Sequence, residues 1–405
     1  MTSIVELRGR TSGGATRDAK GAGTGVASPT STNGNVAAHL PPESRALRTR
    51  TADPYPILLR MGHVFEAVVG QRLVVDGFYG ALDVGIGGDG WYYVLNKWVN
   101  GSLQYPRVRY AVCNLKDEFP RNIFPTIDGQ PQKVDEEMFP SPVSCDSDQN
   151  GTLFFTDEHA NNVVVMNTAG ETTGWWGEAG GRAGQFNAPS GIHYAPDGTL
   201  WIANSRNGRV QNFTRDGRYI RGFGEFGTAP GQLNYPWGVT VDPVNGTVLV
   251  ADWRNDCVKR FSPEGQLLQT FDELGRGLPP LKRPSGVAVD AHGDVYVCDR
   301  GNDRVVQFNP RGLFLESFHG DAPMTERGAD KLMANPDMCR WKDHIIDLDR
   351  EKRFWKPSAV KVDDQFRVCV IDAGRYRMQV YRKKFRVLQP GQVEPPEAYA
   401  APKVN

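Results

Sequence analysis

The sequence has no run of eighteen apolar residues, and no apolar core follows its first basic residues, so it offers neither a spanning helix nor a secretory leader. Net charge is absent as well. Lys and Arg number 47 against 47 Asp and Glu, which argues against a surface built throughout for polyanions but leaves room for a local basic patch. The six cysteines (Cys113, Cys145, Cys257, Cys298, Cys339 and Cys369) show no CxxC spacing, which fits buried reduced thiols better than a disulfide framework or a zinc cage. Histidine is scarce, with seven in the chain, and no GxSxG nucleophile elbow occurs. Residues 1–55 hold almost no aromatics, and residues 389–405 are rich in Pro; both are expected as disordered tails. Arg and Ser near the start would suit a transit peptide, but Glu6 and Asp18 count against one, so a cytoplasmic protein without membrane contact is expected.

What is there is a repeat. In the stretch Pro284 to Phe308, PSGVAVDAHGDVYVCDRGNDRVVQF, the runs Val287-Ala288-Val289 and Val295-Tyr296-Val297 alternate like half-buried strands around an Asp/Gly turn. Two further strands follow, Val305 to Phe308 and Leu313 to Phe318. Copies start near residues 81, 142, 189, 236, 284 and 357, and three of the five steps are 47 or 48 residues. Four antiparallel strands per copy, each sheet needing a neighbour on both faces, predict an all-β ring: a six-bladed propeller spanning residues 56–388. Either Ile57 to Val75 or Phe385 to Leu388 could supply the outer strand of the last blade.

At PSGVAVDAHGDVYVCDRGNDRVVQF and PSGIHYAPDGTLWIANSRNGRVQNF the chain resembles the NHL-repeat family of six-bladed propellers, over roughly Gly80 to Leu388. The resemblance is to stand-alone, bacterial-type members. No RING, B-box or coiled-coil segment precedes the repeats, so the ubiquitin-ligase role of animal NHL proteins has no support. Family members hold proteins, peptides or small ligands, and some bind single-stranded RNA. At fold level the chain also resembles amidating lyases and streptogramin lyases, which use metal and histidine on the channel face.

Strand order sorts the connections. Links between the first and second strands, and between the third and fourth, belong to one end of the blades. Links between the second and third strands, and between blades, belong to the other. The irregular connections, Asn96–Pro106, Leu115–Ser141 and Gly320–Lys356, are all expected at that second end, marking it as the working face. The last is predicted to carry helical runs at Thr325–Met333 and Met338–Phe354 and to serve as a lid on the channel or a plug between blades 5 and 6.

Two rings of residues follow from the repeat. Asn96, Asp157, Asn204, Asp252, Asp299 and Asp372 open the links between second and third strands, and their recurrence assigns them to the scaffold, with Arg209, Arg304 and Arg377 as partners. Residues beside them that differ between copies are the ligand-binding candidates: Trp98, His159, Arg206, Trp253, Arg254, Arg300, Arg375 and Tyr376. Four residues into each first strand stand Gly85, Asp146, His193, Thr240, Ala288 and Lys361. Of these Asp146, His193 and Lys361 are candidate acid–base groups converging on the channel.

The leading expectation is a non-catalytic recognition propeller that holds a protein, peptide or small anionic ligand on the loop-rich face. The alternatives are a channel-centred lyase or hydrolase, with calcium on channel carbonyls or zinc, and single-stranded RNA binding on the Arg/aromatic rim. Only His159 and His193 are placed by the repeat, so a three-histidine zinc site would need His319 or His344 to fold in.

Overall fold

The computed structural model describes residues 57–70, 78–97, 108–127, 130–131, 141–275, 277–323 and 347–389, together with 333, 334, 337 and 340. The chain divides into Met1–Pro56 and Ile57–Asn405, and the described residues all lie in the second unit. Both proposed tails, apart from Gln389, fall outside the described residues, as do Trp98, Cys339, His344 and most of the two helical runs predicted between residues 325 and 354.

Six four-stranded antiparallel sheets make the ring. Their first strands are Ala81–Ile86, Pro142–Ser147, Pro189–Tyr194, Pro236–Val241, Pro284–Val289 and Pro357–Val362, and each touches the next, with the sixth returning to the first. The middle strands are buried on both faces because a neighbouring blade covers each one. In Val248–Asp252, Val248 and Val250 pack with Trp201 and Val210 of blade 3, while Leu249 and Ala251 pack with Val287, Val295 and Val306 of blade 5. The period of two therefore divides one strand between two cores.

Around the channel the blades approach too closely for side chains. A Cβ on Gly191 would lie 2.3 Å from the carbonyl oxygen of Trp237, and one on Gly238 would lie 2.8 Å from that of Ser285. This is the physical content of the glycine in PSG and PWG. Serines beside these positions staple the blades: Ser190 Oγ donates to Pro236 O (2.9 Å), Ser285 Oγ to Pro357 O (3.0 Å) and Ser358 Oγ to Leu82 O (2.7 Å), the last closing the ring.

The outer strand of blade 6 is Ile57–Val69, which pairs antiparallel with Arg377–Leu388 from Ile57↔Leu388 to Val69↔Met378. Phe385 to Leu388 extends the third strand instead of replacing the fourth. His63 lies within that outer strand. The closure is reinforced by charge. Lys383, 1% exposed, sits between Asp290 and Asp294 of blade 5, and Arg60 forks onto Asp294 with two bonds of 2.6 Å.

One expectation fails. The stretch Leu115–Ser141 is not a single link at the working end. Residues Asn114–Glu118 form the turn between the third and fourth strands, and Arg121–Ile123 is blade 1's own fourth strand. Beyond it, Thr126 N and Oγ1 both donate to Gly170 O (3.0 and 3.1 Å), placing Phe124–Thr126 against the Asn167–Glu171 turn of blade 2. That turn belongs to the opposite end, so the long connections do not share one face.

The second expected helical run is not continuous either. Asp347 caps a separate five-residue helix, Leu348–Lys352, by accepting from Arg350 N, and the chain is extended again at Arg353. Phe354, 3% exposed, then packs with Tyr296, Val305 and Tyr381 between blades 5 and 6. The described part of the insertion is therefore a plug. Arg377, 1% exposed, holds it by donating to the carbonyls of Glu351, Lys352 and Arg353 at the helix end (2.9, 3.0 and 3.0 Å).

Candidate functional site

The Asp/Asn ring is structural in every blade. Each side chain accepts a backbone N–H from the incoming link: Tyr79 to Asn96, Ser141 to Asp157, Asn187 to Asn204, Asn234 to Asp252, Lys282 to Asp299 and Trp355 to Asp372, at 2.6 to 2.8 Å. Burial pushes the Asp157, Asp252, Asp299 and Asp372 carboxyls up, and these N–H donors act against it. Arg304 and Arg377 pair with their aspartates at 2.7 and 2.8 Å. Arg209 does not pair with Asn204; its guanidinium donates instead to Gly181 O, Arg182 O and Gln185 O, because an amide offers it no charge.

The residue before each blade start from the third to the sixth has positive φ: Ala188 at 50°, Tyr235 at 54°, Arg283 at 51° and Lys356 at 54°. Non-glycine residues rarely adopt this conformation. Three are fixed by their backbone N–H, Ala188 donating to Asn161, Arg283 to Asp256 and Lys356 to Asp303. Tyr235, Arg283 and Lys356 meet the rim residues of the link end. Arg254 lies over the Tyr235 ring at 4.1 Å and against Trp253 at 5.7 Å, Arg283 lies over Trp253 at 4.5 Å, and Trp237 meets Trp253 edge-on at 5.7 Å. The result is a ladder in which guanidinium and aromatic planes alternate.

The predicted rim residues therefore divide. Trp253 and Arg254 come together, with Tyr235, Trp237 and Arg283 as members that sequence reasoning missed; their signal was their place beside a blade-start proline. Arg206 and His159 are exposed in the links of blades 3 and 2. Arg300 donates to Lys356 O (2.9 Å), and Arg375 donates to Arg353 O and Arg350 O and pairs with Glu351, so both are occupied by the insertion. Tyr376 stacks on Tyr79 at 5.7 Å. Trp98 lies outside the described residues.

The channel trio does converge. Asp146 Oδ2 is 3.1 Å from His193 Nδ1 and 3.1 Å from Lys361 Nζ, and it accepts from Tyr194 N at 3.0 Å. Burial works to raise the Asp146 carboxyl, but Lys361 and His193 overcome it and hold the group well below the usual carboxylate range. Burial keeps Asp83 raised, and burial works against Lys361, whose two aspartate neighbours nevertheless hold its ammonium above the usual lysine range. His193 Nε2 is buried and unpartnered among the described residues. The trio does not join the rim. It sits four residues along the strands from their link-end starts, about 13 Å away. Between them the ring of Gly191, Gly238, Gly286, Ser144, Asp83 and their neighbours leaves ≈ 30 Å³ of open space, enough for about two waters.

Among the described residues, no group of three or more His, Cys, Asp and Glu is placed to hold a metal ion. Five cysteines are buried thiols, and burial raises the Cys257 thiol to about 12.

Six closed sheets around a constricted channel define a six-bladed β-propeller. Residues 281–308 match the NHL repeat, and residues 148–274 match the family described as SMP-30/Gluconolactonase/LRE-like region. A 66-residue stretch is 39% identical to Protein brain tumor of Drosophila melanogaster, covering 16% of this chain and 6% of that protein, so most of that relative's length has no counterpart in the match. Among solved structures, a structural-genomics protein of unknown function from Bacteroides thetaiotaomicron VPI-5482 gives a TM-score of 0.51 at 14% identity, over 81% of this chain and 77% of that one. A streptogramin B lyase gives 0.49 at 12% identity, over 80% and 99%. The B. thetaiotaomicron likeness shows the shared fold. No helix among the described residues is long and apolar enough to cross a membrane.

Proposed function

We propose that this propeller is a recognition module that holds an acidic peptide or small anionic ligand on the link end of blades 3 to 5. The observation that carries the reading is the ladder of Arg283, Trp253, Arg254 and Tyr235. Rings fix the guanidinium planes in advance and leave N–H edges for carboxylates, so binding costs little side-chain ordering. Arg206 adds an exposed charge nearby in sequence order, and the buried Trp253 Nε1 has no acceptor among the described residues. The test is calorimetric titration of the full chain with a Glu/Asp-rich peptide. Saturable binding weakened about tenfold or more in Arg254→Ala/Arg283→Ala supports the reading. Equal affinity in both proteins, or tight binding of single-stranded oligouridine in place of the peptide, refutes it.

A second reading rests on the convergence of Asp146, His193 and Lys361 and on the SMP-30/Gluconolactonase/LRE-like match from residue 148. In it, Asp146 orients His193 as a general base in the channel for hydrolysis of a lactone or related ester. Lactone turnover lost in His193→Ala supports it; no turnover in the wild type rejects it. The constriction beside these residues admits only water, which favours recognition.

A further inference from the structure

Two consecutive links between blades are built alike. In the link from blade 2 to blade 3, Phe186 N donates to Glu178 O (2.8 Å) and Gly180 N to Phe186 O (2.7 Å). In the link from blade 3 to blade 4, Leu233 N donates to Glu225 O (2.9 Å) and Gly227 N to Leu233 O (3.1 Å). The residues enclosed by these bonds are Ala179 and Phe226, each bridged in parallel to its buried partner. The residue before the next blade is likewise Ala188 in one link and Tyr235 in the other, both at positive φ. Alanine satisfies the scaffold at both places in the first link, so the aromatic pair of the second is an addition to it.

The added rings are held in place and left open. A Cβ on Gly208 would lie 2.4 Å from Phe226 Cα, so the backbone beneath that ring is packed against blade 3. Phe226 is 51% exposed and meets Tyr235 edge-on at 5.6 Å, while Arg254 lies over the Tyr235 ring at 4.1 Å. An apolar surface and a guanidinium thus flank one tyrosine, within reach of two alternate side chains of an extended peptide, about 7 Å apart. Charge is divided the same way. Arg283 already faces Asp256 at 3.9 Å, but the exposed Arg254 pairs with no carboxylate among the described residues. Glu225, beside Phe226 in the chain, keeps its negative charge while accepting from Gln232 Nε2 (2.7 Å). A ligand carboxylate is drawn to Arg254 and repelled from the Glu225–Phe226 side, where an apolar side chain fits.

We propose that Phe226 sets the specificity of the ladder: it takes an apolar side chain two residues from the acid that Arg254 holds, so the ligand is a peptide in which acidic and apolar residues share one face. This rests on the acidic-peptide reading and narrows it.

The test titrates the full chain with two capped peptides, one centred on Glu-Ser-Leu-Ser-Glu and one on Glu-Ser-Ser-Ser-Glu, so that an acid lies two positions from the varied residue in either chain direction. Saturable binding is expected for both, about tenfold tighter for the leucine peptide. Phe226→Ala installs the residue that the preceding link carries at Ala179. It should bring the leucine peptide down to the affinity of the serine peptide and leave the serine peptide unchanged, which a misfolded variant would not do. Phe226→Leu should keep the preference, and Arg254→Ala should weaken both peptides. Three results overturn the proposal and leave the acidic-peptide reading standing: equal affinity for the two peptides in the wild type, a preference that survives Phe226→Ala, or binding of the Glu/Asp-rich peptide with neither of these. No binding of any of the three peptides overturns both.

Discussion

Lys361 of blade 6 and Asp146 of blade 2 form a 3.1 Å ion pair although a whole blade lies between them. Blade 1 carries Gly85 at the equivalent place and so contributes no side chain there. His193 adds a second partner from blade 3. One carboxylate thus links blade 2 both to its neighbour blade 3 and to blade 6, which it does not adjoin.

The pair makes stability depend on pH. Asp146 is held below its unfolded value of about 3.9, so its contribution is complete above the ordinary carboxylate range and is lost as pH falls through the folded value. Both side chains are partly open to channel water, at 17% and 12%, which lowers the contribution to about 1–3 kcal/mol. Urea unfolding should show Asp146→Asn less stable than wild type by that amount near pH 7. The gap should narrow below about pH 4; a gap that stays constant with pH would refute the assignment.

Ring closure rests on Lys383, which is 1% exposed between two aspartates with no exposed side-chain surface. Removing the ammonium leaves Asp290 and Asp294 sharing only Arg60 and neutral donors. Lys383→Met should cost about 3–5 kcal/mol in chemical denaturation. A loss below about 1 kcal/mol would show that the closure does not depend on it.

The inner glycines are steric requirements. Gly191→Ala puts a methyl 2.3 Å from Trp237 O, which is backbone and cannot swing aside. The expected loss is about 1–3 kcal/mol or more, with a lower unfolding midpoint, whereas Gly246→Ala, with open space at its Cβ, should lose less. Its positive φ of 72° sets the remaining cost there.

Arg377 anchors the plug. Arg377→Met should raise hydrogen exchange in Ala322 and in residues 350–354, whose backbone bonds it supports, while leaving blades 3 and 4 unchanged.

Blades 3, 4 and 5 were legible because Pro-Ser-Gly and Pro-Trp-Gly mark a crossing that only glycine permits, and because Asn204, Asp252 and Asp299 recur where a backbone N–H needs an acceptor. The convergence of Asp146, His193 and Lys361 was legible from counting four residues into each first strand. The fourth strand of blade 1 was not: Arg121–Ile123 is three residues long and carries Arg and Asn, so it does not stand out as apolar alternation. The ladder was only half legible. Tyr235 and Arg283 owe their places to positive φ before a proline, a backbone state that side-chain identity does not announce. The long connections misled for a related reason, since Thr126 is held by the carbonyl of Gly170, an acceptor no periodicity predicts.

The most direct measurement is hydrogen exchange of the full chain with and without a saturating Glu/Asp-rich peptide. Protection at residues 234–237, 253–256 and 282–284, around the ladder, is the predicted result. Protection confined to the turns at the other end, such as 243–247 and 291–294, or no change anywhere, would contradict recognition through the Arg/aromatic face.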